Sequence, residues 1–231
     1  MAILTAAAGG LFASAATLSA ATSYTFTAIP DTLGGSGSYA LGINDSGTVV
    51  GGALTLAANA NALSYSNGTT TDLGTLGGTV SRAYGINDSG QVVGDSFTTG
   101  DNAVHAFLSS GGSMSDLGTL GGNYSSAIGI NDSGTVVGQS ETASGTYHAF
   151  SYSNGTMTDL GTLGGNYSGA VAVNDFGTVV GQAKTASGDL HAFSYSNGTI
   201  TDLGTLPGGS GSHADGINDS GTVVGWASRA F

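Results

Sequence analysis

The chain has 231 residues, of which 39% are apolar, so it can build one all-β domain or two small ones; 42 Gly beside only 2 Pro point to many tight turns between short strands. Three Lys+Arg against 15 Asp+Glu give a formal charge of −12, and the basic residues Arg82, Lys184 and Arg229 are scattered, which sets nucleic acid aside as a partner and makes anionic lipid a poor one. With no Cys, a disulfide framework, a thiolate metal site and a Cys nucleophile are all excluded.

Residues 2–21, AILTAAAGGLFASAATLSAA, are small, apolar and uncharged. Ala/Ser-rich residues 14–21 offer A-x-A-like cleavage points near Ala20 or Ala21, so 1–22 reads as a secretory signal peptide, although no Lys or Arg follows Met1. A retained N-terminal extension is the alternative. A membrane anchor is the weakest reading, because Gly, Ser, Thr and Ala carry little hydrophobicity. Residues 23–231 then form the folded domain, and no membrane contact is expected beyond the signal segment.

The domain is written in repeats. GINDSGTVVG stands at 42–51, 129–138 and 216–225, GINDSGQVVG at 85–94 and AVNDFGTVVG at 172–181. Their Asn residues, Asn44, Asn87, Asn131, Asn174 and Asn218, are spaced 43, 44, 43 and 44 apart. Between them lies a second phrase, HAFSYSNGTMTDLGTLGG at 148–165 in its fullest form. One repeat holds four strand-like runs. Run A ends in the Asx-rich turn Asn131-Asp132-Ser133-Gly134, and run B is the β-branched Val136-Val137 segment. Run C, 147–152, is joined to run D by Asn154-Gly155, a strong hairpin signal. Short links force antiparallel neighbours. Four-stranded meanders of 43–44 residues, stacked so that each buries its neighbour's face, predict a five-bladed β-propeller. A parallel solenoid and a sandwich are the rivals. The β pattern opens with a D-like run at 26–35 and ends with Arg229-Ala230-Phe231, which opens a C run, so the N-terminal strand is expected to pair with the last blade and close the ring. A chain cut mid-strand, or a C position filled by a neighbouring molecule, would read the same way.

HAF, SNGTMTDLGTLGG and GINDSGTVVG together resemble the HAF family of extracellular bacterial repeats, over roughly residues 24–231. The resemblance implies secretion or surface exposure. It implies no activity, substrate or catalytic residue.

Candidate sites follow from the repeats. Asp45, Asp88, Asp132, Asp175 and Asp219 form a ring of turn carboxylates, but each turn offers one Asp beside one Asn, which reads as turn capping ahead of calcium binding. Asp72, Asp116, Asp159 and Asp202 recur in the T/S-D-L-G-T-L run and are expected to bond a neighbouring backbone or solvent. His105, His148 and His191 are expected to pack beside Phe107, Phe150 and Phe193, too far apart for one metal ion. His213 has no counterpart in the other repeats. Glu141 is the only Glu, and no nucleophile elbow, phosphate loop or dinucleotide fingerprint appears. Asn-x-Ser/Thr at Asn44 and Asn67 comes with the turns. The B–C loops vary, and Asp95, Asp101, Glu141 and Asp189 would make their face acidic. Trp226, the only Trp, stands ready to stack on a sugar or to plug a seam. The expectation is a secreted, non-catalytic protein for binding or adhesion, with no catalytic, cofactor-binding or metal residues and no cofactor. A glycan or surface polymer is the expected partner; the alternative is a self-associating fibre subunit donating its N-terminal strand.

Overall fold

A computed structural model describes residues 2–7, 23–30 and 33–229. Two N-terminal strands, β1 (Ala2–Ala7) and β2 (Ser23–Ala28), form an antiparallel pair. The first full sheet follows as β3 (Gly34–Ile43), β4 (Val49–Thr55), β5 (Ala60–Ser66) and β6 (Thr69–Gly74), each strand beside the next. The second holds β7 (Gly77–Ile86), β8 (Val92–Thr98), β9 (Val104–Ser110) and β10 (Ser113–Asp116). The third holds β11 (Gly121–Ile130), β12 (Val136–Thr142), β13 (Tyr147–Ser153) and β14 (Thr156–Asp159). The fourth holds β15 (Gly164–Val173), β16 (Val179–Thr185), β17 (Leu190–Ser196) and β18 (Thr199–Gly204). The fifth has two described strands, β19 (Ser212–Ile217) and β20 (Val223–Ala227).

The chemistry of each turn explains the meander. Asn154 and Gly155 both take positive φ, 51° and 78°, as a two-residue hairpin with the right twist demands. At the A–B turn, Asn131 Oδ1 accepts the Thr135 N–H at 2.8 Å and the Ser133 hydroxyl at 2.8 Å, so one side chain closes the loop. The invariant Gly of VVG has a steric cause. A Cβ on Gly138 would run into the carbonyl oxygen of Ser126 on the paired strand β11. That pairing carries a bulge between Ala127 and Gly129, which recurs in each inner strand and leaves Leu41, Tyr84, Ile128, Val171 and Asp215 as the extra residues.

Successive sheets pack face on face. Val93, Ala106 and Leu117 of the second sheet meet Ala127, Val136 and Phe150 of the third. The same set recurs between sheets one and two and between three and four, and a reduced set joins four and five. Polar bonds reinforce each seam. The Ala106 N–H donates to Ser125 Oγ at 2.7 Å, and that hydroxyl donates to Gly118 O at 2.6 Å. Asn44 Nδ2 donates to Asn87 O, Asn87 to Asn131 O, Asn131 to Asn174 O and Asn174 to Asn218 O. The GIND turn is thus a link between sheets as well as a hairpin closure. The five turns converge on one open pit of about 330 Å³.

The result is an all-β, propeller-like array, and two expectations need correction. The N-terminal strand does not latch the last sheet among the described residues: β2 spends its ladder on β1, in a register from Ala2↔Ala28 to Ala7↔Ser23, while β20 pairs with β19. Four described sheets are four-stranded and the fifth is not, so a closed ring of five complete blades is not what the described residues form. Most of the expected leader, residues 8–22, and the closing Ala230-Phe231 lie outside the described residues. No helix among the described residues is long and apolar enough to cross a membrane.

Candidate functional site

Across nearly identical sheets, a few strand positions change from copy to copy. On the inner strands one position holds Tyr39, Arg82, Ser126, Gly169 and His213 in turn. On the next strands the residue after VVG is Gly52, Asp95, Gln139, Gln182 and Trp226. Strand pairing sets these two columns side by side: Tyr39 opposite Gly52, Arg82 opposite Asp95, Ser126 opposite Gln139, Gly169 opposite Gln182 and His213 opposite Trp226.

The side chains join across sheets. Asp95 is buried, and its Oδ2 accepts the Tyr84 hydroxyl at 3.0 Å and the Ser126 hydroxyl of the third sheet at 3.1 Å. Arg82 Nη1 stands 3.8 Å from Asp95 Oδ1. Tyr84 sits on the bulge, which aims it at this carboxylate. Burial pushes the Asp95 carboxyl above the ordinary carboxylate range, and the bonds from Tyr84 and Ser126 and the Arg82 charge pull part of that back. Burial, followed by the Asp95 charge, drives the Tyr84 phenol upward, so it stays a donor. Farther along, Tyr167 donates to Gln139 Oε1 at 3.3 Å and Gln182 Nε2 donates to Tyr167 Oη at 3.4 Å. Tyr147, Asn166, Tyr167, Gln182 and Lys184 line an open cavity of about 450 Å³ between sheets three and four, together with Gly145 of a B–C loop. Tyr124 and Tyr147 meet edge to face at 5.6 Å. In the fifth sheet the His213 and Trp226 rings are parallel within 3°, centroids 6.3 Å apart, and Trp226 is 54% exposed. Aromatic faces beside amides and one carboxylate can hold a polyhydroxylated or otherwise polar ligand.

The residues singled out from sequence fall elsewhere. Asp88 Oδ1 accepts the Asp45 N–H at 2.9 Å, and Asp132, Asp175 and Asp219 do the same for the preceding turn. His105, His148 and His191 face the recurrent aspartates: each Nδ1 lies 2.8 Å from an oxygen of Asp116, Asp159 or Asp202. Asn61 takes the His place in the first sheet and bonds Asp72 at 3.0 Å. Those aspartates also accept a backbone N–H two residues on, as Asp116 does from Gly118 at 2.7 Å. Of the four residues expected to make the loop face acidic, Asp95 turns inward and is buried. Asp101 accepts the Thr79 N–H and hydroxyl at 2.8 Å, Glu141 accepts the Asn123 N–H at 2.8 Å, and Asp189 accepts Ser187 at 2.7 Å, each bonding close to its own loop. Sequence reasoning missed Tyr39, Arg82, Tyr84, Ser126, Gln139, Tyr167 and Gln182. The signal that finds them is variation at a fixed strand position inside an otherwise constant repeat.

No family model matches the chain, and no curated protein matches it. Among solved structures it is similar to a gluconolactonase from Xanthomonas campestris, at 12% identity and a TM-score of 0.46, over 85% of this chain and 72% of that one. It is similar to an arginine-substituted AofleA from Arthrobotrys oligospora, at 14% identity and a TM-score of 0.41, over 89% and 70%. It is also similar to the Aleuria aurantia lectin in complex with Fucα1-6GlcNAc, at 10% identity and a TM-score of 0.38, over 84% and 71%. The expectation that the chain is no enzyme is corrected here: an enzyme, the gluconolactonase, stands among these similar structures, and the exclusion of catalysis is withdrawn.

Proposed function

We propose that this chain is a secreted binding protein of the HAF repeat type, acting at the bacterial surface on a polar polymer, with a glycan as the ligand class. One observation carries the reading: the positions that vary between repeats form connected polar and aromatic clusters on the paired inner strands, while the positions that hold sheets together stay constant. Tyrosine and tryptophan faces suit the C–H faces of sugar rings, and the Gln and Asn amides suit their hydroxyls. Secretion rests on the apolar start of the chain and on the family resemblance.

The test is a screen of the purified chain against soluble polysaccharides and a bacterial cell-wall fraction, repeated with Tyr167→Ala/Gln182→Ala. The expected result is retention of at least one polymer, weakened tenfold or more in the variant with an unchanged unfolding midpoint. No binding in the screen, or equal binding by the variant, contradicts the proposal. Mass spectrometry of exported protein tests secretion: a start near 21–23 supports leader removal, and a start at Met1 or Ala2 opposes it.

A further inference from the structure

One backbone donor is treated differently in the fourth sheet. At a single position of the inner strands and the segments leading into them stand Thr79, Asn123, Asn166 and Ser210. The Thr79 N–H donates to Asp101 Oδ1 at 2.8 Å, the Asn123 N–H to Glu141 Oε2 at 2.8 Å and the Ser210 N–H to Ser228 Oγ at 3.0 Å. Among the described residues no side chain accepts from the Asn166 N–H. The cause is one exchange: Lys184 stands on β16 where Glu141 stands on β12, paired opposite Leu190 and Tyr147 respectively. A carboxylate accepts hydrogen bonds, whereas an ammonium only donates them. Both side chains take the same path. A Cβ added to Gly122 would collide with the stem of Glu141, and one added to Gly165 with the stem of Lys184. Leu54 holds the equivalent place in the first sheet and carries no charge.

Asn166 and Lys184 both line the cavity of about 450 Å³ between sheets three and four. Tyr147 and Tyr167 stand side by side across that seam, and Leu190 extends the apolar wall. Lys184 makes no ion pair among the described residues, whereas Arg82 is engaged by Asp95. The nearest acid along the chain, Asp189, accepts the Ser187 hydroxyl at 2.7 Å. We infer that this cavity is a subsite for an acidic sugar, a uronate, whose carboxylate takes the place that the Glu141 carboxylate takes in the third sheet. It accepts from the Asn166 N–H and from the Lys184 ammonium, as charge-assisted bonds, while the sugar ring lies against the tyrosines. This assignment rests on the glycan reading above and narrows it to one class of sugar. The third sheet shows that a carboxylate fits this donor position, and the fourth sheet supplies the donor and the counter-charge without the carboxylate. The charge of −12 repels a uniform polyanion, so uronates spaced among neutral sugars suit the site best.

The test is calorimetric titration of the full chain with two neutral oligosaccharides, one carrying a single glucuronate and one a single galacturonate. Each is compared with its own form in which the carboxyl is reduced to the alcohol. The expected result is a preference of about tenfold or more for at least one acid over its reduced form. Lys184→Met should bring that ratio to about one, and Lys184→Arg should keep most of it. Lys184→Glu places here the residue that the third sheet already uses, so it should fold with an unchanged unfolding midpoint and turn the preference against the acid. Equal binding of acid and reduced forms by the native chain, or a preference that survives Lys184→Met and Lys184→Glu, overturns the inference and leaves the glycan reading standing. No binding of any of these sugars, with a neutral polymer still retained in the polysaccharide screen, overturns the inference alone. A chain that retains nothing in either experiment overturns the glycan reading with it. Poly-glutamate bound more tightly than both uronates would assign the anion to a peptide and overturn the inference as well.

Discussion

The same ten residues, GINDSGTVVG, stand at 129–138 inside the array and at 216–225 at its end. In the interior copy, Asn131 is buried and donates to Asn174 O at 2.9 Å, and Val137 is fully buried. In the terminal copy, Asn218 is exposed and Val224 is 61% exposed. The local turn is alike in both: Asn131 Oδ1 accepts the Thr135 N–H and Asn218 Oδ1 accepts the Thr222 N–H, each at 2.8 Å. Local chemistry therefore sets the hairpin, and the following sheet sets the burial. Stability in such an array is a property of seams more than of repeats, as nearest-neighbour coupling in repeat proteins requires.

Substitutions that act on a seam, compared with their terminal equivalents, can break this contrast. The largest effect is expected for Phe150→Ala, which empties a fully buried site between sheets two and three; it should cost about 3–5 kcal/mol in urea unfolding, while Trp226→Ala should stay within about 0.5 kcal/mol. Next comes Ser125→Ala, which leaves the buried Ala106 N–H without its acceptor and should cost about 1–3 kcal/mol. Val137→Ala should cost about 2 kcal/mol through two lost methyl groups, against no measurable loss for Val224→Ala in the monomer. Equal losses at the paired positions would erase the distinction between interior and end.

The smallest effect sharpens a different contrast, between the constant seams and the variable face. The folded carboxyl of Asp95 titrates above the ordinary carboxylate range because burial disfavours its charge. A raised carboxyl contributes stability that is complete below the unfolded value and is lost as pH rises through the folded value. The native chain should therefore lose stability relative to Asp95→Asn from about pH 4 upward, with the variant giving a flatter profile of unfolding midpoint against pH. A steeper profile for the variant would contradict burial as the leading cause.

Much of the fold was legible in the sequence. The Asn-Gly and Asn-Asp-Ser-Gly turns and the 43–44-residue period specify antiparallel four-stranded sheets, because turn chemistry is local and is written afresh in each repeat. The ends were not legible. Whether 23–28 pairs with β20 or with 2–7 depends on long-range competition between two uncharged partners, and no turn residue decides it. The candidate site was hidden for a related reason. Repeats draw the eye to constant residues such as His148 and Asp159, whose constancy reflects a bond made within each sheet. Tyr84, Asp95 and Ser126 come from three strands and meet only after a bulge redirects one of them.

The most direct measurement is residue-resolved amide hydrogen exchange by NMR on the monomer at low salt, comparing 129–138 with 216–225. Slower exchange by at least a hundredfold in the interior copy is the result expected if the neighbouring sheet supplies the protection. Equal protection in the two copies would contradict it, because the terminal copy would then have a covering sheet of its own.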